Sequence, residues 1–192
     1  MTGLKHTTKD LPETVEFLKK MINKKKYSRI VAIGCSAGGF AAILYGILLK
    51  FDKVLAFSPQ VVLNEKKERI IKDTYNAPNT CKWLTNLKQY KDDVFYHKCL
   101  DLSNFKPYDT EIEIHYALRA NKGSDKNHAD YLCDPKCRVK EYNSNKVNQN
   151  AISIVYSNNS FKMNFMVKNG LVMNFTAIIT IAAYTFIFGG IK

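Results

Sequence analysis

The sequence predicts an α/β fold, a mostly parallel sheet flanked by helices, on three observations. Two short β-branched runs, Ile30–Gly34 and Lys53–Phe57, alternate with two helical segments between residues 11 and 57, and parallel neighbours need such a crossover between them. Both runs are apolar at consecutive rather than alternate positions, the mark of strands buried on both faces. Between the first run and the helix after it lies a glycine-rich turn, Gly34-Cys35-Ser36-Ala37-Gly38-Gly39.

Each element follows from local pattern. In Leu11–Ile22, Val15, Leu18 and Ile22 form one stripe with Phe17 and Met21 beside it, the spacing of an amphipathic helix. Pro12 and Glu13 suit its first turn, and the lysines near its end suit its negative pole. After the basic turn Lys24–Lys26 comes the first strand, then a helix over Ala37–Leu49 and the strand Lys53–Phe57. Ser58 to Pro107 lacks a clear period and carries Tyr75, Trp83, Tyr90 and Tyr96 among many charges, which predicts short helices and loops capping a site. Strand character returns at Glu111–Ala117; a short helix over His128–Leu132 and an outer strand over Arg138–Tyr142 follow. Asn143 to Asn159 reads as loop or weak helix.

A chain of 192 residues is one domain or a domain with an appendage. With 46% hydrophobic residues it has material for a core, which excludes wholesale disorder. The net charge of +12 suits an anionic partner only if it is focused, and here lysines are spread in small groups among Asn, Ile and Tyr. No aromatic-interleaved basic stripe is present, so a nucleic-acid partner is not expected. Five cysteines, an odd number without a regular framework, predict a reducing compartment. Cys133 and Cys137, close after His128, form at most a metal half-site; structural thiols are the simpler reading, and no metal or organic cofactor is expected.

The last segment differs in kind. From Gly170 to Ile191 there is no charged side chain, and as a helix it is long enough to span about 30 Å of hydrocarbon, with Lys168 and Lys192 at its ends. The competing reading, supported by its β-branched content, is a buried terminal helix or strand pair of the globular domain. The expected organisation is thus a domain over residues 1–160 and a candidate transmembrane helix over 170–191. On the membrane reading the lysine-rich body stays on the cytoplasmic side, the alternative being a soluble cytoplasmic protein.

Gly34-Cys35-Ser36-Ala37-Gly38 fits Gly-x-Ser-x-Gly in the strand–turn–helix context that a nucleophile elbow requires. A turn tight enough to lift a serine above a sheet edge leaves no room for bulk two residues to either side. Ser36 then stands at the amino end of a helix whose N–H groups and dipole favour developing negative charge, with the backbone N–H of Ala37 as oxyanion donor. A dinucleotide-binding turn needs glycine where Ser36 stands and an acidic residue after the next strand, where Phe57-Ser58-Pro59 is found instead. Close helix-on-strand packing is the remaining alternative.

Ile33-Gly34-Cys35-Ser36-Ala37-Gly38-Gly39-Phe40-Ala41-Ala42-Ile43-Leu44-Tyr45-Gly46, followed by Val54-Leu55-Ala56-Phe57-Ser58-Pro59-Gln60, resembles the elbow region of the α/β-hydrolase superfamily, particularly small bacterial-type serine esterases. The likeness is dense over residues 27–62 and faint to residue 142. It implies a Ser-Asp-His triad in that chain order, with the acid at Asp125 in Asp125-Lys126-Asn127-His128-Ala129 and Asp130 and Asp134 as weaker candidates. The histidine due after the last strand is missing: none follows His128, and Val147 stands near where it belongs. His128 is the best substitute base, His97 and His115 suit solvated or packed roles, and His6 suits the surface. Residues 1–26 leave no room for the several strands that usually precede the elbow strand, so the resemblance implies either a minimal or truncated version of the fold or a fragment of a longer reading frame.

The resulting expectation is a serine hydrolase on a small-molecule carboxylic ester, with Ser36 attacking, Ala37 N–H holding the oxyanion and Asp125 orienting a histidine, His128. The alternative is a catalytically inactive hydrolase fold acting as a membrane-associated binding or structural protein.

Overall fold

A computed structural model describes residues 7–25, 27–73, 78–118, 123–142 and 185–191. Helix α1 spans Leu11–Lys25, strand β1 Tyr27–Cys35, helix α2 Ala37–Leu49 and strand β2 Lys53–Phe57. Short helices α3 (Lys66–Arg69), α4 (Pro78–Thr85) and α5 (Val94–Cys99) fill the irregular stretch before strand β3 (Glu111–Ala117). Helix α6 (Ser124–Tyr131) and strands β4 (Cys137–Tyr142) and β5 (Thr185–Ile191) follow. Helix α6 begins ahead of the expected His128 start, because Gly123, at φ 84°, opens a turn there that the apolar pattern does not mark.

Local chemistry explains the boundaries. Asp10 accepts the backbone N–H of Glu13 at 2.9 Å and so satisfies one of the orphan donors of α1. Helix α2 ends in a left-handed Lys50 (φ 54°), whose N–H and that of Phe51 turn back to Ile47 and Gly46 carbonyls at 3.4 and 2.9 Å. This is the Schellman arrangement, here with lysine where glycine is usual and with Phe51 buried beneath it.

The sheet order is β4-β3-β2-β1-β5, with the first four strands parallel and β5 antiparallel on β1. Three crossovers in one direction put their helices on one face. There Leu18 of α1, Phe40 and Ile43 of α2 and Ala129 of α6 share one core with Ala32, Val54, Ala56, Ile112 and Ile114. The opposite face carries Val31, Cys35, Leu55 and Phe57 on β1 and β2. Toward β3 and β4 that face turns polar. Glu113 meets Lys53 at 2.9 Å, Lys140 at 2.6 Å and His115 Nε2 at 2.9 Å, the last close enough for charge pairing but off the hydrogen-bond axis.

The carboxy-terminal reading needs correction. Thr185–Ile191 is not the end of a helix; it pairs with β1 from Thr185↔Gly34 to Ile191↔Tyr27. Its β-branched and aromatic residues suit an extended chain, and the outer edge of β1 offers N–H and C=O groups that an uncharged segment satisfies. Residues 170–184 of the candidate transmembrane helix lie outside the described residues, as does 143–159. Among the described residues no helix is long and apolar enough to cross a membrane.

Burial works against the charge on Glu113, but the contacts of His115, Lys140 and Lys53 outweigh it and hold the carboxyl well below the ordinary value of 4.5. A carboxyl lowered on folding stabilises above its unfolded value and loses that contribution as pH falls through and below 4.5. Glu113→Gln is expected to cost about 3 kcal/mol at neutral pH, because it strands the buried ammonium of Lys53. Urea unfolding should show that difference at pH 7 and a much smaller one at pH 3.

Candidate functional site

The carboxyl edge of the sheet gathers the site. Strand β1 ends at Cys35 and helix α2 starts at Ala37, so Ser36 alone makes the reversal, with φ 52° and ψ −119°. That region is strained for a residue with a side chain and costs about 1–3 kcal/mol. The turn is held from both sides. Ser36 N–H donates to Phe57 C=O at 2.9 Å, and Ser36 C=O accepts the first helical bond from Phe40 N–H at 3.1 Å. A side chain on Gly34 would run into the backbone of Gly38, and one on Gly39 would stand 2.9 Å from Cβ of Pro59. Both glycines are therefore required by close approach, and the resulting turn leaves Ser36 and Ala37 exposed at its tip. As the first helical residue, Ala37 has an N–H with no intrahelical acceptor.

Cys35 is the other nucleophilic side chain of the turn, and it points into the buried face. Burial, and then the charge of Asp125, push its thiol up to about 11. At neutral pH it is a protonated thiol, and the hydroxyl of Ser36 is the group the turn presents. The same coupling places Asp125 within electrostatic reach of the elbow. Asp125 lies in the first turn of α6 and is buried. Two further hydroxyls are buried without a hydrogen-bond partner, Ser124 Oγ beside Asp125 and Ser58 Oγ at the end of β2, where φ is 44°.

His128 follows Asp125 by one turn of α6 and is also buried, but its ring is committed elsewhere. Val61 N–H donates to Nδ1 at 3.2 Å, and Nε2 lies 3.1 Å from Asp73 Oδ2. The first bond requires a bare Nδ1, so the proton sits on Nε2 and is donated to Asp73. No lone pair is left to take a proton from Ser36 in this arrangement. The structure thus brings Ser36, Ala37 and Asp125 to one edge and turns His128 to a different partner.

Of the other described histidines, both have a ring nitrogen close to a polar partner. On α5, His97 Nε2 is 3.0 Å from the Lys91 C=O. His115 stacks on Phe57 with ring centroids 4.6 Å apart, and its Nδ1 is 2.7 Å from Tyr142 OH. His6 lies outside the described residues. Asp130 is exposed and paired with Lys126 at 2.8 Å, while Asp134 accepts Lys136 N–H within a turn. All five cysteines are free thiols, and among the described residues no cluster of three or more His, Cys, Asp or Glu is placed to hold a metal. Asp73 and Lys67, which complete the surroundings of His128, gave no sequence signal: they sit in an unpatterned stretch far from it in the chain.

No protein-family model matches the chain, and no curated protein does. Among solved structures it is similar to a monoacylglycerol lipase of Paleococcus ferrophilus, with 14% identity and a TM-score of 0.38 over 68% of this chain and 64% of that one. An α/β hydrolase from the sediment metagenome of the Mar Chica lagoon, Morocco, shows 13% identity and a TM-score of 0.44 over 82% and 69%. Carboxyl esterase 2 of the mycorrhizal fungus Tuber melanosporum shows 11% identity and 0.42 over 67% and 48%. The matched part is less than two thirds of the length of the lipase and of the carboxyl esterase.

The geometry of the turn separates two kinds of glycine. Gly34→Ala drives a methyl group into the Gly38 backbone and should destabilise by about 3 kcal/mol. Gly123→Ala, where φ is 84° but nothing lies within 4 Å, should cost only about 1 kcal/mol from conformation. Urea midpoints of the two variants check the order.

Proposed function

We propose that the protein is a serine hydrolase of small carboxylic esters in which Ser36 is the nucleophile. The observation that carries the reading is the exposed Ser36 held at φ 52°, ψ −119° between a parallel strand and a helix start. Backbone strain of this kind persists only where its surroundings over-determine it, and glycine is the residue that would relieve it. In the reaction Ser36 Oγ bonds to the ester carbonyl carbon, and the oxyanion forms against the Ala37 N–H and the positive end of α2. The Ser36 hydroxyl proton passes to solvent water; collapse breaks the bond to the ester oxygen, which leaves as the alcohol with a proton taken back from solvent, and water then hydrolyses the acyl-Ser36 to the carboxylic acid and free Ser36.

Asp125 supports this reading as the buried carboxylate beside the elbow. Proton removal from Ser36 has no imidazole acceptor among the described residues, so the hydrolase acts slowly. Catalysis without a triad base amounts to roughly 10³–10⁴-fold over the uncatalysed reaction, supplied by oxyanion contacts and binding. The second reading, a hydrolase fold that binds without catalysis, is favoured by one observation: both ring nitrogens of His128 are engaged away from Ser36.

A fluorophosphonate probe separates the two, since it reacts with an activated serine whatever the natural ester. Slow labelling of the wild type that is lost in Ser36→Ala is expected. Folded protein that labels no faster than that variant sinks the hydrolase reading. Ser36→Gly should also be unlabelled, yet more stable than the wild type by about 1 kcal/mol, because it releases the turn's strain.

A further inference from the structure

We propose that His128 is a positioning residue: its imidazole clamps the two segments that flank the elbow and so fixes Asp125 and Pro59 relative to Ser36. The proposal rests on the hydrolase reading for its effect on reactivity, and on geometry alone for the clamp.

The ring bridges two distant parts of the chain. On one side Nδ1 accepts Val61 N–H at 3.2 Å, two residues beyond Pro59, which packs against Gly39 at the start of α2. On the other, Nε2–H donates to Asp73 Oδ2 at 3.1 Å. Asp73 is itself buried and paired with Lys67 Nζ at 3.4 Å, and Lys67 donates to Gln60 Oε1 at 3.0 Å, which returns the network to the segment after β2. Lys72 at φ 58° turns the chain so that Ile71 and Asp73 face α6 together. Ile71 C=O accepts Asn127 Nδ2–H at 2.9 Å, and Asp73 takes the neighbouring His128.

His128, Asp73 and Lys67 are each at most 2% exposed. A buried polar group costs free energy unless hydrogen-bonded, so the network has one favourable arrangement. That arrangement sets α6 along its axis, and Asp125 stands one turn before His128 on the same buried side. One imidazole therefore holds the carboxylate on one flank of the elbow and the Pro59 contact on the other. A base role needs an imidazole that takes up a proton; a clamp needs only an acceptor and a donor in the right places, which a neutral amide supplies.

The test compares fluorophosphonate labelling of wild type, His128→Gln and His128→Leu from pH 6 to 9, with amide hydrogen exchange on the same proteins. The clamp predicts that His128→Gln labels near the wild-type rate with an unmoved pH profile. His128→Leu should label about tenfold or more slowly, since small displacements of a catalytic group cost that much. In exchange, His128→Leu should lose protection over residues 59–63 and 124–131, and His128→Gln should keep it. Loss of labelling in His128→Gln, or wild-type labelling in His128→Leu, overturns the proposal. Should His128→Leu not fold, His128→Gln decides by the same criteria. If the wild type itself is not labelled, the hydrolase reading falls separately, and exchange alone decides: unchanged protection in His128→Leu overturns the clamp.

Discussion

Helix α2 descends so close to the end of β1 that only glycine fits at positions 34 and 39, and everything at the site depends on that approach. A side chain on Gly34 would strike the Gly38 backbone, and one on Gly39 would press on Pro59. With both positions reduced to backbone, the chain reverses in the single residue Ser36. The N–H of Ser36 is tied to Phe57 C=O, so the turn is fixed to the neighbouring strand as well as to its own helix. The hydroxyl stands at the carboxyl edge, where parallel strands end and helix amino termini converge. Close packing, strain and exposure at this turn are one fact seen from three sides.

The two faces of the sheet divide the work of stability. One is apolar from Ala32 to Ile114 and is covered by α1, α2 and α6. On the other, burial by side chains of β1 and β2 gives way to a charged strip in which Glu113 gathers Lys53, Lys140 and His115. A carboxylate in that position is tolerated because the ammonium groups of Lys53 and Lys140 meet it. The strip also holds His115, with Nδ1 2.7 Å from Tyr142 OH and Nε2 2.9 Å from Glu113.

The stretch between β2 and β3 is ordered by a different device. Lacking an apolar period, it is fastened by buried polar contacts. Lys66 meets Asp101 at 2.7 Å, with Ser103 and Tyr131 on the same carboxyl group. Burial opposes ionisation of Asp101, but the hydrogen bonds from Lys66, Ser103 and Tyr131 prevail and hold it low. His128 and Asp73 make a second fastening close to the elbow. Such contacts have sharp geometric requirements, so a segment of short helices keeps one position over the sheet edge.

The parallel strands, α2 from Ala37 to Leu49 and the tight turn at Ser36 could be read before any contact was known, because hydrophobic period and glycine spacing are local quantities. Asp125 was singled out only through the resemblance to α/β-hydrolases, on the Asp125-x-x-His128-Ala129 pattern past a strand. Tertiary structure decided the rest. An apolar run such as Thr185–Ile191 serves a helix or a strand equally well, and the open edge of β1 chose the strand. The orientation of the His128 ring is set by Val61 and Asp73, far from it in sequence. A histidine near an acid in the chain reads as a base, but the direction of its ring, and so the availability of its lone pair, depends on which distant donor reaches it first.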